Sequence, residues 1–362
     1  MNAREPLDVI VTNFNRNFTG VSATAAAVIA RQDRKHNLNL VGYPLPGCPQ
    51  PVKLTNAMAI TRQNGATRPV IWHVRRNIEM TTAIFARDIM RLPIKTVFTS
   101  SARRLHSAIP RWLISRMDAV IATTDHAASF VPNVFAVAPH GVDTENFKPA
   151  DNRLECWAKS GFPGTMGIAT VGRVRPEKGT DIFVETMMST LPRLPGAKAL
   201  IIGKATAEHR AFEEDLKRRI SGAGLSERII FTGELSSDRL AALLPGLSLL
   251  VATPRYEGYG MTALEAMASG VPVVASNTGH FAKFLEGGEC GSITENDDPA
   301  HISDLALQFL TNPDRLEAAG IAARDRAVDQ FSIDGEVEAI DHVYRALLAG
   351  KAPSGVTDLV IQ

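Results

Sequence analysis

Two glutamates with seven residues between them, Glu257 and Glu265, stand in the stretch PRYEGYGMTALEAMASGVPVVAS (254–276), and their neighbours define the chemistry open to them. An apolar run at 247–252 ends in a loop holding Gly258 and Gly260, and a short helix is predicted from near Met261 to Gly270. Glycine lets the backbone approach a ligand, and a helix's first turn carries unpaired N–H groups. Gly258, Gly260 and the start of this helix can therefore form an anion site suited to a diphosphate. Glu265 lies among Ala263, Leu264, Ala266 and Met267, where a carboxylate is costly unless hydrogen-bonded; a ribose diol would satisfy both oxygens. Glu257 precedes the helix, where the sugar of a nucleotide-sugar would lie. The plainer alternative makes Glu265 a solvated helix residue and Glu257 a loop charge. Their joint occurrence in one loop and helix favours the ligand.

A second cluster, VGRVRPEKGTDIFVE (171–185), places Gly172 and Arg173 at the end of a strand and Lys178 at the start of a helix. Two cations there can clamp a diphosphate and neutralise charge on a leaving nucleotide; as isolated residues they read equally well as surface charges. The lysine–glycine pair lacks the leading glycine spacing of a P-loop, which argues against NTP hydrolysis. Cys48, Cys156 and Cys290 are scattered and odd in number, so neither a disulfide framework nor a metal site is expected, and no cofactor.

These groups need a scaffold. Short apolar runs alternate with amphipathic segments in the βα pattern of parallel sheets. Strands are predicted at 7–14, 38–43, 69–74, 95–99, 118–122 and 134–138, then at 166–171, 198–202, 228–232, 247–252 and 271–275. Helices include 208–221 and 236–244, the latter capped by Ser236, and the tail from 299 to 349 reads as two or three more. The turn-rich stretch 139–153 reads as a linker. The expected fold is α/β: two doubly wound parallel-sheet domains, 1–148 and 149–334, facing across a cleft, with ligands at the strands' carboxyl ends.

The 362 residues carry a formal charge of +1, with 45% hydrophobic and 21% charged residues, a globular composition that excludes disorder, collagen and coiled coil. That near-neutrality hides a split, since residues 62–116 hold 11 basic and 2 acidic side chains. Arg75 and Arg76 follow the strand VIWHV, and Arg103 and Arg104 follow TVFTS, so all four are expected at a strand edge. Arg76 precedes a helix whose cap is expected to be Asn77; a cation there opposes the helix dipole and points to an anionic partner. Arg87 and Arg91 extend the basic face. A solvated arginine-rich surface is the alternative. Without interleaved aromatics or a nucleic-acid module, DNA and RNA are disfavoured; an anionic lipid-linked glycan at the inner leaflet suits the patch better. No signal peptide or apolar run of membrane-spanning length is visible, so the expected location is cytoplasmic with peripheral membrane contact.

The E-x7-E of Glu257 and Glu265, G-R…K-G at 172–179, HGVD at 140–143 and FTG at 231–233 together resemble the family 4 glycosyltransferases. The resemblance implies the GT-B fold of two facing Rossmann-like domains and transfer with retention. It further implies that Arg173 and Lys178 hold the donor diphosphate, Glu265 the ribose and Glu257 the donor sugar, and that the backbone of Gly258, Tyr259, Gly260, Met261 and Thr262 lines the phosphates and sugar. Gly20 would make room for a substrate, and the final helix, from about 335, would cross back to the N-terminal domain. Front-side attack, with the departing diphosphate taking the acceptor's proton, needs no protein nucleophile or metal. WHVRRNIEM and TVFTSSARRLH are similar to bacterial lipopolysaccharide-core mannosyltransferases, which implies GDP-mannose as donor and a Kdo–lipid A inner core as acceptor. One departure is Ser101, which stands where many members of the family have a histidine; His73 or His106 could fill that role or be structural. His140 is expected to order the hinge. Two alternatives stay open: a UDP-glucose, UDP-galactose or UDP-N-acetylglucosamine transferase, and a non-catalytic nucleotide-sugar-binding protein.

Overall fold

The computed structural model describes residues 7–17, 19–102 and 104–351. They divide into two compact units, one formed by 7–141 with 333–351 and the other by 142–332. The first boundary lies ahead of the expected 148 because Val142 and Phe147 are buried in the second unit's core.

In the first unit β1 (Asp8–Asn13), β2 (Asn37–Gly42), β3 (Val70–Val74), β4 (Ile94–Ser100), β5 (Ala119–Ala122) and β6 (Val134–Val137) form one sheet in the order β2-β1-β3-β4-β5-β6. Every pairing is parallel. Side chains alternate between faces along each strand. Val9 and Val11 of β1 join one apolar cluster and Ile10 the other, while Ile71 opposes Trp72 and Val74 in the same way on β3. Both faces are covered, which is why these strands read as continuous apolar runs.

The helix Ile333–Leu348 completes this unit, with Val337, Ile340, Val343, Tyr344 and Leu347 buried against the β-strand face that carries Val9 and Val11. Three of its polar residues fix its position: Asp341 lies 2.8 Å from Gln32 and 2.9 Å from His36, Tyr344 Oη lies 2.5 Å from His73 Nδ1, and Glu336 accepts from His140 and the Gly141 N–H.

In the second unit β7 (Met166–Val171), β8 (Ala197–Ile202), β9 (Ile229–Gly233), β10 (Leu249–Ala252), β11 (Val273–Ser276) and β12 (Gly291–Thr294) form the order β12-β11-β10-β7-β8-β9, again parallel throughout. β12 escaped the sequence reading, since a four-residue Gly-Ser-Ile-Thr strand has little apolar signal. The strand order reverses between β7 and β10, the switch point at which doubly wound sheets bind ligands. Ser236 caps its helix as expected, accepting from the Arg239 N–H.

Candidate functional site

The two chemically suggestive clusters follow β7 and β10, the strands on either side of that switch point. Gly179 holds them together. It has φ +65°, and a Cβ there would lie 1.8 Å from the Thr253 carbonyl oxygen just beyond β10. The glycine of the Lys-Gly pair thus closes the packing between the two loops. Arg255 ties them again, donating to both Asp181 oxygens at 2.8 and 2.9 Å and to the Pro176 carbonyl at 2.7 Å. Sequence reasoning missed Arg255, whose hydrogen-bond acceptors lie more than seventy residues away along the chain.

Lys178 Nζ donates to Glu257 Oε2 at 2.6 Å, and Glu257 Oε1 accepts from the Gly258 N–H at 2.6 Å. Gly172, at the end of β7, faces the Lys178 stem, its notional Cβ 3.7 Å from Lys178 Cδ. Arg173 is exposed and pairs with no described residue. Beside them Lys204, after β8, and Glu234, after β9, form an ion pair that the sequence did not single out.

The helix Met261–Ala268 starts from Gly260 at φ +105°, and no side chain caps it, so its first N–H groups, including those of Met261 and Thr262, receive none. Gly260 owes its identity to this left-handed turn and to Phe281 beneath it, whose ring would lie 2.2 Å from a Cβ. Tyr259 stacks on His280 with ring centroids 5.1 Å apart, which steadies the loop. Glu265 is partly buried among fully buried alanines, Leu264 and Met267, and no described side chain bonds its carboxylate. Burial pushes its pKa up from 4.5 to about 7. Burial thus disfavours its ionised form, which a hydrogen-bond donor would stabilise.

In the first unit the arginine pair after β3 separates into two different environments. Arg76 bonds Glu79 Oε1 and Asn13 Oδ1 through Nη1, and Ser22 Oγ through Nη2, each at 3.0 Å. Glu79 is fully buried and also accepts from the Phe14 and Arg75 N–H groups. The anionic partner expected for Arg76 is therefore an internal one, three residues along the helix. Arg76 itself, not Asn77, is the N-cap residue. Arg75, by contrast, has Nη1 shielded and without a partner, and burial pulls its pKa below the ordinary value.

His73 lies in the interior, fully buried, with Nδ1 2.5 Å from Tyr344 Oη and Nε2 2.6 Å from Thr99 Oγ1, so it presents no nitrogen to a substrate. Arg87 is spent on Asp88 and Asp118 instead of extending a free basic face. Ser101 is exposed, 3.4 Å from His140 Nε2. Arg104 is exposed, Gly20 opens the helix Gly20–Gln32 with free space around it, and Arg103 lies outside the described residues. Among the described residues no cluster of three metal-ligating side chains occurs, and no helix is long and apolar enough to cross a membrane.

The chain is 37% identical over 346 residues to the lipopolysaccharide core biosynthesis mannosyltransferase LpsB of Rhizobium meliloti (strain 1021), covering 94% of this chain and 98% of that protein. It is 38% identical over 343 residues to LpcC, of the same description, from Rhizobium leguminosarum bv. viciae, covering 94% and 97%. The solved structure of a glycosyltransferase from Rickettsia africae ESF-5 superposes with a TM-score of 0.78 at 16% identity, covering 95% of this chain and 99% of that one, a likeness of fold. Residues 159–326, which include both clusters at the switch point, match the family Glycosyl transferases group 1. With two parallel doubly wound sheets of the GT-B kind and near full-length relatives, the chain belongs to the group 1 glycosyltransferases.

Proposed function

We propose that this glycosyltransferase moves mannose from GDP-mannose, with retention, to an anionic lipopolysaccharide inner-core acceptor of the Kdo–lipid A type. The observation that carries the reading is the 37–38% identity over 94% of the chain to lipopolysaccharide core mannosyltransferases. The geometry supports it: unpaired Arg173, Lys178, Glu257, Glu265 and the uncapped helix at Met261 all border one switch point.

In this reading Arg173 and Lys178 hold the diphosphate and Glu265 accepts from the ribose hydroxyls. Glu257 orients the mannose. The bond from the sugar's anomeric carbon to the diphosphate oxygen breaks, the acceptor oxygen bonds to the same carbon from the same face, and the acceptor's proton passes to the departing diphosphate. The cations stabilise charge that grows on that leaving group, and the step needs neither a protein nucleophile nor a metal. The second reading, a UDP-sugar donor, differs only in base and sugar recognition.

Attachment to the cytoplasmic face of a membrane belongs to the proposal. Leu105, Ile109 and Trp112 are 60%, 74% and 57% exposed, with Arg104 and Arg111 exposed beside them. An apolar ridge edged by arginines suits an anionic bilayer surface.

The test is transfer of mannose from GDP-mannose to Kdo–lipid A, with calorimetry of GDP against UDP. Product formation and tighter GDP binding are expected; tighter UDP binding sinks the mannosyl reading.

A further inference from the structure

At the carboxyl edge of the first unit's sheet, a cavity of about 210 Å³ opens between the ends of β3 and β4 and the start of the helix Gly20–Gln32. Sites that enclose whole small molecules span roughly 300–1,000 Å³, so this one has room for a single substituent. Its lining residues include Val21, Phe98, Arg75, Ser100 and His106, and each of the last three carries a polar atom without a partner: Arg75 Nη1, Ser100 Oγ and His106 Nε2. Each is shielded from solvent, and Ser100 is 1% exposed.

Buried polar groups in folded proteins are nearly always paired, because an orphan donor loses its water and gains nothing. Three residues that each carry an orphan atom line one small cavity, and a single group with several acceptor oxygens would answer all three. The carboxylates facing Arg75 are already engaged, Glu79 by Arg76 and two backbone N–H groups, and Glu336 by His140 and the Gly141 N–H. No side chain caps the helix at Gly20, so its N-terminus adds positive potential on the same side.

We propose that this cavity is an oxyanion subsite in which Arg75, Ser100 and His106 hold one carboxylate or phosphate group of the acceptor. Assigning that group to an acceptor rests on the transferase reading above; the subsite itself does not.

The test uses the full chain with inorganic phosphate and glucuronate as separate probes. Each is titrated while the imidazole 15N resonances of labelled histidines are followed. One probe should shift the His106 signal saturably, phosphate marking a phosphorylated substituent and glucuronate a sugar acid. Ser100→Ala and Arg75→Ala should weaken that probe roughly tenfold or more, as loss of a charge-assisted bond predicts. Arg75→Lys should retain part of the binding and Arg173→Ala all of it. Absence of a shift with both probes, or a wild-type response in Ser100→Ala and in any Arg75 variant that melts cooperatively, overturns the subsite. Because neither donor nor lipid is present, failure of the mannosyl proposal would leave these titrations unchanged.

Discussion

Lys178 Nζ and Glu257 Oε2 lie 2.6 Å apart, 79 residues distant in sequence, and join the loops after β7 and β10 across the switch point of the second sheet. The pair is partly buried, the side chains 23% and 18% exposed, so its Coulomb attraction is less screened than on an open surface. In the proposed reading, a diphosphate bound there would compete with Glu257 for the lysine.

That competition gives the first prediction. Glu257→Gln keeps an acceptor for the Gly258 N–H but frees Lys178, so GDP should bind about fivefold tighter, about 1 kcal/mol, while turnover falls. Lys178→Ala should lower kcat by roughly 10²–10³-fold, the usual cost of removing one stabilising donor. Calorimetry and initial rates check both. Weaker GDP binding in Glu257→Gln would show that the glutamate supports the phosphates.

Glu265 yields a pH dependence. Its carboxyl holds a proton up to about 7 in the folded chain against 4.5 when unperturbed. The folded state then binds more protons between those values, and this group's contribution to stability falls as pH rises through that window. A ribose diol donates to carboxylate oxygens and favours the ionised form. The preference for GDP over 2′,3′-dideoxy-GDP should therefore grow as pH rises from about 6 to 8, the phosphate titration being common to both ligands. Glu265→Gln should make that ratio flat; an unchanged slope in the variant would remove Glu265 from the ribose.

Arg76 and Arg104 should behave oppositely. Removing Arg76 leaves Glu79 buried with one charge partner fewer, and Arg76→Ala should destabilise the first unit by about 3–5 kcal/mol. Arg104 is exposed, and Arg104→Ala should stay within about 0.5 kcal/mol of wild type. Urea denaturation followed by a probe in that unit measures both. Equal, small effects would mean that Glu79 is held by its backbone donors alone.

The sheet elements were legible because strands covered on both faces read as apolar runs, and the motif at 254–276 was legible because its glycines, helix and glutamates are consecutive. What stayed hidden was partnership across the chain. The Arg76–Glu79 pair sits at helical spacing, but the positive excess of residues 62–116 masks the two acidic side chains within them. Arg87 is a second case, its charge being answered in part by Asp118, which lies just beyond that stretch. No local signal relates His73 to Tyr344 or Lys178 to Glu257.

His73 sets a second pH effect. Burial, with Arg75 adding, holds its pKa well below 6.5, so it stays neutral in the fold while the unfolded chain protonates. The unfolded state binds more protons below 6.5, and the first unit should lose stability as pH falls from there. Tyr344→Phe, which removes the partner of Nδ1, should cost about 1–3 kcal/mol. His73→Gln should flatten the acid limb of a stability-against-pH curve for that unit; an unaltered limb would assign it to other groups.

Trp112 offers a direct reading of the proposed membrane contact. The chain has three tryptophans; Trp72 and Trp157 are 0% and 2% exposed, whereas Trp112 is 57% exposed. Any emission shift on adding vesicles therefore reports chiefly on Trp112. Vesicles containing anionic lipid should shift the emission to the blue, and purely zwitterionic vesicles should do so far less. Arg104→Ala and Arg111→Ala should each weaken partitioning by about 1 kcal/mol, roughly fivefold, and the two losses should shrink at high salt. Ile109→Ser should weaken it without changing the salt dependence, since the loss there is apolar area. Equal binding to both vesicle types would show that the arginines take no part, and no shift with either would detach this ridge from the membrane.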